Sequence, residues 1–268
     1  MIATLHIQTA CANDITYLKK CYCTTPLRVA NITEDKKDPT LRLMLTSSSP
    51  GILDGDEYHL KIELEENCSL QLHTQSYQRL FTMKHQASQK MEVRLEKNAA
   101  FCFIPHPAVP HEQSNFKARN KFFLAGNCSL IFGEVLTCGR KLNGEVFLFS
   151  KYHTITEIYI NNKMVIKENL LMHPASIDLN AIGQLQGYTH QASLIYLDEN
   201  ADIKKLMAQV IAIISSQKNI SAGITAAPVN GLIVRLLGQK AEPLFDCLKT
   251  IAGCLPQTNQ LKPTAYAI

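Results

Sequence analysis

Hydrophobic and polar residues alternate with period two through most of the chain, which predicts β-strands that are buried on one face. The pattern is clearest in a unit that occurs three times between residues 49 and 144. Each copy has an alternating segment, a short turn centred on asparagine and a second alternating segment. The turn asparagines are Asn67, Asn98 and Asn127, which are 31 and 29 residues apart.

A spacing of about 30 residues is typical of proteins that stack one supersecondary unit on the next. Asparagine fits the turn because its short side chain tolerates the left-handed backbone conformation and can hydrogen-bond the local backbone. We interpret each unit as a β-hairpin and expect the three hairpins to stack around a continuous core. The predicted fold class is therefore mainly β, with stacked, solenoid-like sheets.

Shorter alternating segments flank the repeats. Residues 1–48 are predicted to form edge strands around a charged turn at residues 34–38, and downstream a meander is predicted with two tight turns. Asn143-Gly144 is the preferred two-residue hairpin sequence, and Asn161-Asn162 predicts a second turn. The predicted edge strands are Thr16–Leu18, Leu27–Ala30 and Leu41–Leu45.

The periodicity changes from two to 3.6 after Asn200. Apolar residues at helical spacing predict an amphipathic helix between Ile203 and Ile214, with Asn200 or Asp202 as its cap. A strand pair (221–226 and 232–237), a second helix (242–254) and a loose tail (256–268) are predicted to follow. We expect one domain over residues 1–268, with a β-rich part (1–198) and an α/β part (199–255).

Charge and cysteine content narrow the function classes. The 27 basic and 23 acidic residues are interspersed and give a net charge of +4, which does not predict nucleic-acid binding. The amino terminus lacks the pattern of a signal peptide, and the nine cysteines have no regular spacing, so we expect a reducing cytoplasm. The longest aliphatic run, Val210–Ile214, is too short to predict a membrane span.

A carboxylate-rich bend opens the first repeat. Gly51 and Gly55 supply unusual backbone angles, and Asp54, Asp56 and Glu57 lie within four residues. One interpretation is a solvated turn, which composition favours. The other is a carboxylate pair that holds a hard cation or an arginine of a partner.

Three further groups are candidates for binding chemistry. His106 and His111 lie in a proline-rich loop that forms either a rigid ridge at an interface or, with imidazole ligands, a metal site. Cys21 and Cys23 point the same way in a strand, but a metal would need two more ligands. A last group surrounds the Asn143-Gly144 turn, where cross-strand ion pairs are the simpler interpretation: Glu134, Arg140 and Glu145.

Sequence motifs that carry catalysis are missing from the chain. It has no glycine-rich phosphate loop, nucleophile elbow, Cys-x-x-Cys pair or His-Glu-x-x-His. These patterns favour a scaffold with polar loops and do not predict an enzyme.

Several ordered blocks of sequence resemble the urease accessory proteins called UreD or UreH. The resemblance covers roughly residues 16–260. The blocks are Pro50–Asp56, Thr74–Leu80, Pro105–His111, Gly133–Val135 leading into Gly139-Arg140 and Gly144-Glu145, Asp178-Leu179 and Gly187–His190.

The resemblance implies a cytoplasmic, non-enzymatic β-fold that binds UreF and, through it, the nickel-carrying GTPase UreG. The complex would dock on urease apoprotein and deliver nickel, without a tightly bound cofactor, while Ni²⁺ passes transiently through the chain. We expect the helix pair and the tail to face UreF. The expected nickel path comprises Asp54, Asp56, Glu134, Glu145, His106 and His111. Expected interface or structural positions are Gly51, Gly55, Arg79, Pro107, Pro110, Arg140, Tyr188 and His190.

Two alternatives come from other function classes. A β-solenoid enzyme acting on polysaccharide could use Asp54, Asp56 and Glu57 as acid and base, although such carboxylates generally face each other across a groove. A metal-storage protein could use its histidines with Cys21 and Cys23. Glycan turnover would support the first alternative, and tight stoichiometric nickel or copper binding would support the second.

Overall fold

A computed structural model describes residues 1–256, which form β-strands, two α-helices and a short 3-10 helix at Lys141–Asn143. The predicted mainly β fold class with two helices near the carboxyl terminus is confirmed. The strands are β1 Ile2–Ala12, β2 Ile15–Cys23, β3 Leu27–Asn31, β4 Thr40–Ser47, β5 Glu57–Leu64, β6 Ser69–Thr74, β7 Gln78–Leu80, β8 Ala87–Leu95, β9 Ala100–Phe103, β10 Ala108–Pro110, β11 Asn115–Leu124, β12 Ser129–Leu136, β13 Lys151–Ile160, β14 Lys163–Met172, β15 His190–Asp198, β16 Ile220–Ala226 and β17 Gly231–Gly238. The helices are α1 Ile203–Ser215 and α2 Ala241–Cys254.

The strands form two sheets that pack face to face. Sheet A has the order β14-β13-β11-β8-β5-β1-β2, and sheet B has the order β16-β17-β15-β12-β9-β6-β4-β3, with β10 beside β12 and β7 beside β10. Pairing is parallel from β1 to β13 in sheet A and from β4 to β12 in sheet B, and antiparallel at both ends of each sheet. The strands predicted in residues 1–48 are present as β2, β3 and β4. β2 and β3 are edge strands as predicted, whereas β4 lies between β3 and β6, and β1 was not predicted.

Each repeat contributes one strand to each sheet. The strands on either side of a turn asparagine, such as β5 and β6, do not pair with each other, so the predicted hairpins are wrong. They pair in parallel with the equivalent strands of the next repeat instead. The physical reason is that each of the two strands has one apolar face. When the chain crosses the core to the other sheet, these two apolar faces pack against each other.

The turn asparagines perform the predicted backbone role. Asn67, Asn98 and Asn127 have positive φ angles of 60°, 61° and 59°. The amide nitrogen of Asn98 also donates a hydrogen bond to the amide oxygen of Asn67 at 2.9 Å. The asparagines of the first two repeats are therefore stacked above one another at one edge of the molecule.

The two turns predicted in the meander have different outcomes. Asn161 and Asn162 have φ angles of 48° and 64° and join β13 to β14, as predicted. Asn143-Gly144 does not form a hairpin turn, because β12 lies in sheet B and β13 in sheet A. The chain crosses between the sheets here, and Gly144, at a φ of 84°, ends the short 3-10 helix.

The helices add a third layer on the outer face of sheet B. The predicted helices and the intervening strand pair are confirmed, and the side chain of Asp202 caps α1 by accepting a hydrogen bond from the backbone nitrogen of Lys205. Helix α2 lies against β12, where an added Cβ at Gly133 would come within 3.3 Å of Leu248. One core therefore lies between the sheets and a second lies between sheet B and the helices.

Three further features of the chain are its tail, its cysteines and the length of its helices. Beyond Pro256, the predicted loose tail lies outside the described residues. All nine cysteines are free thiols. Across residues 1–256, no helix is both long and apolar enough to cross a membrane.

Candidate functional site

Two cavities lie between the sheets and border each other. The larger has a volume of about 240 Å³ and the smaller about 80 Å³, and Phe132, Glu134 and Tyr152 line both. The smaller cavity is built from the repeats, because residues seven positions before or after the turn asparagines line it. These residues are Leu60, Met91, Asn120, Thr74, Pro105 and Glu134.

Polar side chains face each other across the core at one level of the two sheets. On sheet A, Asn120 pairs in register with Thr156, which pairs with Glu168. On sheet B, Glu134 pairs in register with Ser193, which pairs with Arg235. We call these six residues the polar level. Their neighbours two positions away on the same strands, such as Phe122 and Phe132, are mostly apolar, so the polar level interrupts a hydrophobic core.

Glu134 is the most perturbed carboxylate of the polar level. The amide nitrogen of Asn120 lies 3.4 Å from its Oε1 atom and 3.1 Å from the hydroxyl of Thr156. Burial raises the pKa of Glu134 to about 7, since the hydrogen bond from Asn120 only partly offsets the loss of solvation. The carboxyl group can therefore gain or lose a proton near neutral pH.

The larger cavity reaches solvent beside an ion pair. Nη2 of Arg235 lies 2.5 Å from Oε2 of Glu168, and the arginine side chain is 59% exposed. Gln184 and Gln191 lie on the same cavity. A small polar ligand that entered here would meet oxygen and amide groups before it reached Glu134.

His106 lines the smaller cavity and not the larger one. Its Nδ1 atom and the hydroxyl of Thr74 are 2.9 Å apart, and its ring packs 4.8 Å from that of Phe245 on α2. Burial lowers the pKa of His106, so the neutral imidazole is favoured. The structure thus brings two of the predicted nickel-path residues, Glu134 and His106, to the same cavity.

The two aspartates of the predicted carboxylate pair contact different groups. Asp54 accepts hydrogen bonds from the backbone nitrogen of His85 at 2.9 Å and pairs with its ring at 3.1 Å. Asp56 is buried and accepts a hydrogen bond from the backbone nitrogen of Leu53 at 2.9 Å. Neither aspartate lines the two cavities, and Gly55, with a φ of 75°, forms the turn between them.

Glu145, Arg140 and His111 form a separate group. Nε of Arg140 donates to Glu145 at 2.9 Å, and the backbone nitrogen of Glu112 lies 3.3 Å from the same carboxylate. The hydrogen bond from Arg140 lowers the pKa of Glu145. The ring of His111 packs 4.8 Å from Phe81, and burial lowers its pKa. The ion pair spans a loop within one chain segment, and it is not the cross-strand pair that we predicted.

The predicted structural glycine and proline positions hold neighbouring loops together. Gly51 lies against Arg79, whose carbonyl accepts a hydrogen bond from the nitrogen of Ile52 at 2.8 Å. The carbonyl of Pro107 accepts from Gln78 at 3.0 Å, and Pro110 ends β10. This proline segment is therefore a short parallel strand beside β7.

Tyr188 and His190 lie where the chain enters β15. His190 is buried, its Nδ1 atom is 2.8 Å from the hydroxyl of Thr189, and burial lowers its pKa to about 4. The backbone nitrogen of Tyr188 donates to Leu185 at 2.9 Å. Neither residue lines the two cavities.

Sequence reasoning missed most of the polar level, including Asn120, Thr156, Glu168 and Arg235. A signal was present: Asn120 follows Phe116 and Ala118 at period two, which places its amide on the buried face. Within residues 1–256, no three His, Cys, Asp or Glu side chains are grouped closely enough to hold a metal ion. The polar level therefore offers two carboxylates, Glu134 and the Arg235-paired Glu168, with neutral oxygen groups beside them, which can hold a cation only weakly.

Comparison with known proteins identifies the family. A family model described as "UreD urease accessory protein" matches residues 1–266. The chain belongs to the UreD family. The urease accessory protein UreD of Flavobacterium johnsoniae is 46% identical, and the alignment covers 94% of this chain and 91% of that protein. The UreD of Actinobacillus pleuropneumoniae serotype 5b is 32% identical over 92% of this chain and 94% of its own length.

A third UreD protein, from Acetivibrio thermocellus, is 28% identical over 94% of this chain and 96% of its own length. The matches span both the repeats and the helical layer. The family resemblance seen in the sequence is therefore confirmed. These UreD relatives are named as accessory proteins and not as enzymes.

Proposed function

We propose that this chain is a non-enzymatic maturation factor that works in the cytoplasm with UreF and UreG to insert nickel into urease apoprotein. Membership of the UreD family supports a role with urease. The observation that carries the proposed metal role is the meeting of two internal cavities at Glu134. In this proposal the chain is both a docking scaffold and a conduit, and nickel is its cargo.

The chemistry of the polar level suits transfer better than storage. Carboxylate, hydroxyl and amide oxygens hold Ni²⁺ less tightly than thiolates or several imidazoles do. Glu134 supplies the negative charge, and Asn120 and Thr156 supply neutral dipoles at its side. A cation can therefore replace the proton of Glu134 and leave again without breaking a closed ligand shell.

The path through the molecule would run from the Arg235–Glu168 mouth to Glu134 and then towards His106. Both ends have groups that can accept a cation, since Glu168 lies at one end and the neutral imidazole of His106 at the other. Most other side chains in the core between the sheets are apolar, so they do not compete to coordinate the ion. Asp54, Asp56, Glu145 and His111 lie away from the two cavities, and they stay proposed as contacts of the ion outside this route.

Urease activity in cells tests the proposed role. Cells would express the urease subunits and the other accessory proteins with nickel supplied, with and without this chain. We expect urease apoprotein to accumulate without activity when the chain is absent. Unchanged activity in its absence would contradict the proposed function.

A variant of Glu134 tests the conduit. We expect Glu134→Gln to keep the fold and lower urease activation about tenfold or more, because it removes the only proposed anionic ligand at the junction of the cavities. Glu66→Gln is the matched control, since Glu66 is exposed at the first asparagine turn. Full activation by Glu134→Gln would exclude this route, while the scaffold role would still be tested by omission of the chain.

A further inference from the structure

Four strands of sheet A carry an excess of basic residues on their outer face. Strands β5, β8, β11 and β13 contain seven Lys or Arg and four Glu, a net charge of +3 out of +4 for the whole chain. All eleven point outward, since the residues that alternate with them face the core. In residues 1–256 both helices pack on sheet B, so they leave this basic face uncovered.

The carboxylates of the basic face already have basic side chains as partners. Glu63 lies 2.6 Å from His6 and 2.8 Å from Lys61, and Glu92 lies 2.9 Å from Arg94. The other two are Glu157, with Arg119 at 2.9 Å, and Glu57, with His59 at 3.3 Å. The lysines that remain therefore have little negative charge left to neutralise them.

Lys90 is the centre of this excess charge. Its register partners are His59 on β5 and Arg119 on β11, so like or potentially like charges lie on both sides. Among the described residues, neither Lys90 nor Lys117 forms an ion pair within 4.0 Å. Like charges directly opposite each other destabilise a sheet, so folding alone does not favour this arrangement.

The surface around Lys90 is concave. A depression of about 660 Å³ lies over this part of sheet A, and the side chains of Lys61, Lys90, Arg119 and Lys121 line it together with Tyr22 on one side. A depression of this size can receive a protruding chain segment. Four basic side chains and one carboxylate, Glu92, line it, so a segment with negative charge fits it best.

We infer that the basic face is a docking site for an acidic segment of a partner protein, a loop or helix end with two or more carboxylates. Neighbouring strands are about 4.8 Å apart, so carboxylates separated by one or two such steps could reach Lys90 and Arg119 together. Binding would neutralise the like charges that the free protein holds together. The inference rests on the proposed function, which supplies a multiprotein assembly in which such a partner occurs.

The arrangement of charge favours a protein partner over nucleic acid. The next row of the face alternates in sign, through Lys61, Glu92, Lys121 and Glu157. A phosphate backbone is uniformly negative and would meet two of these carboxylates, whereas nucleic-acid surfaces of proteins are dominated by Lys and Arg. A protein segment of mixed charge can match the alternating row and the basic row together.

Charge reversal on the basic face tests the inference. The full chain, co-purified with its accessory partners where it needs them, would be immobilised and exposed to purified urease apoprotein, UreF and UreG in turn. We expect Lys90→Glu/Lys117→Glu to weaken binding of at least one of them about tenfold or more, mainly through a slower association rate. Wild-type binding should also weaken as salt rises, because salt screens exposed charges.

The matched control is Lys36→Glu/Lys37→Glu, which changes the net charge equally in an exposed turn away from the basic face. We expect it to bind within about twofold of the wild type. If charge reversal impairs folding, Lys90→Gln/Lys117→Gln should show the same loss, to a smaller degree, at an unchanged melting temperature.

Three results would overturn the inference. The first is that the variant binds all three proteins as tightly as the wild type does. The second is that the variant and the control lose the same affinity. The third is that the basic face binds duplex DNA or anionic vesicles, and not protein, in a charge-dependent way. The proposed function fails independently, if urease matures in cells that lack the chain.

Discussion

Glu134 and Arg235 lie at the same level of sheet B with only Ser193 between them, yet the guanidinium of Arg235 pairs with Glu168 on sheet A. Arg235 therefore links the two sheets at the edge of the core and does not neutralise Glu134. No described residue forms an ion pair with Glu134 within 4.0 Å. This separation explains why burial controls the protonation of Glu134.

Replacement of Glu134 should change the pH dependence of stability. The pKa of Glu134 is raised to about 7 in the folded chain, from an ordinary value of 4.5, so ionisation costs stability as pH rises between these values. We expect Glu134→Gln to be more stable than the wild type by about 1–3 kcal/mol at pH 8 and to lose this advantage below pH 4.5. Urea unfolding across this pH range measures the difference. An equal or larger advantage at low pH would contradict the assignment.

Removal of Arg235 should open the mouth of the larger cavity to cations. Its guanidinium competes with an incoming cation for Glu168, so we expect Arg235→Gln to bind Ni²⁺ about two- to tenfold more tightly. Equilibrium dialysis at pH 7.5 measures this affinity. The double variant Arg235→Gln/Glu168→Gln should lose the gain, and a gain that persists without Glu168 would show that the ion binds elsewhere.

Gly51 should not tolerate a side chain. An added Cβ would lie 2.4 Å from the carbonyl oxygen of Arg79 and 2.9 Å from Phe81, so the backbone would have to move. We expect Gly51→Ala to lower the free energy of unfolding by about 2–3 kcal/mol. Gly126→Ala is the matched control, because its added Cβ meets nothing within 4 Å. Similar thermal unfolding of the two variants would contradict the close approach.

The asparagine turns should depend on backbone conformation more than on side-chain bonding. Asn98 has a φ of 61°, which costs alanine about 1–2 kcal/mol and glycine almost nothing. We therefore expect Asn98→Ala to be about 1 kcal/mol less stable than Asn98→Gly, although both lose the hydrogen bond to Asn67. Urea unfolding of the two variants gives the difference. Equal stability would show that the lost hydrogen bond is the dominant effect.

His190 should contribute to acid sensitivity. Burial lowers its pKa to about 4, from an ordinary value of 6.5, so the unfolded chain binds the proton first as pH falls. Its contribution to stability is complete above pH 6.5 and is lost between pH 6.5 and 4. We expect His190→Gln to flatten this part of the pH–stability curve, and His153→Gln, on the outer face of sheet A, to leave it unchanged. An unaltered slope in His190→Gln would contradict the assignment.

Much of the fold could be predicted from sequence, because period-two alternation and turn asparagines are local signals. The pairing of strands could not. The alternation around Asn67 is the same whether the next strand pairs beside the first or crosses the core to another sheet. The Asn143-Gly144 prediction failed for this reason, since a favourable turn sequence does not specify which sheets its flanking strands join.

The candidate site was partly predictable. His106 was a candidate metal ligand from its proline-rich loop, and the family resemblance placed Glu134 and His106 on one nickel path. The alternation of β11 and β12 places Asn120 and Glu134 on buried faces. That Glu134 lies beside Asn120, however, depends on how sheet A is placed over sheet B. The ion pair of Arg235 with Glu168 joins residues 67 positions apart and has no local sequence signal.

The side chains at one level of sheet A become more polar from β5 to β14. In register from β5 to β14 it presents hydrocarbon at Leu60, thioether at Met91, amide at Asn120, hydroxyl at Thr156 and carboxylate at Glu168. A hydrated ion that entered beside β14 would therefore exchange its waters stepwise along this wall and find no further oxygen beyond Asn120. Further travel would require the opposite wall, where Thr74 and His106 lie, so Glu134 marks the point at which an ion would change sheets.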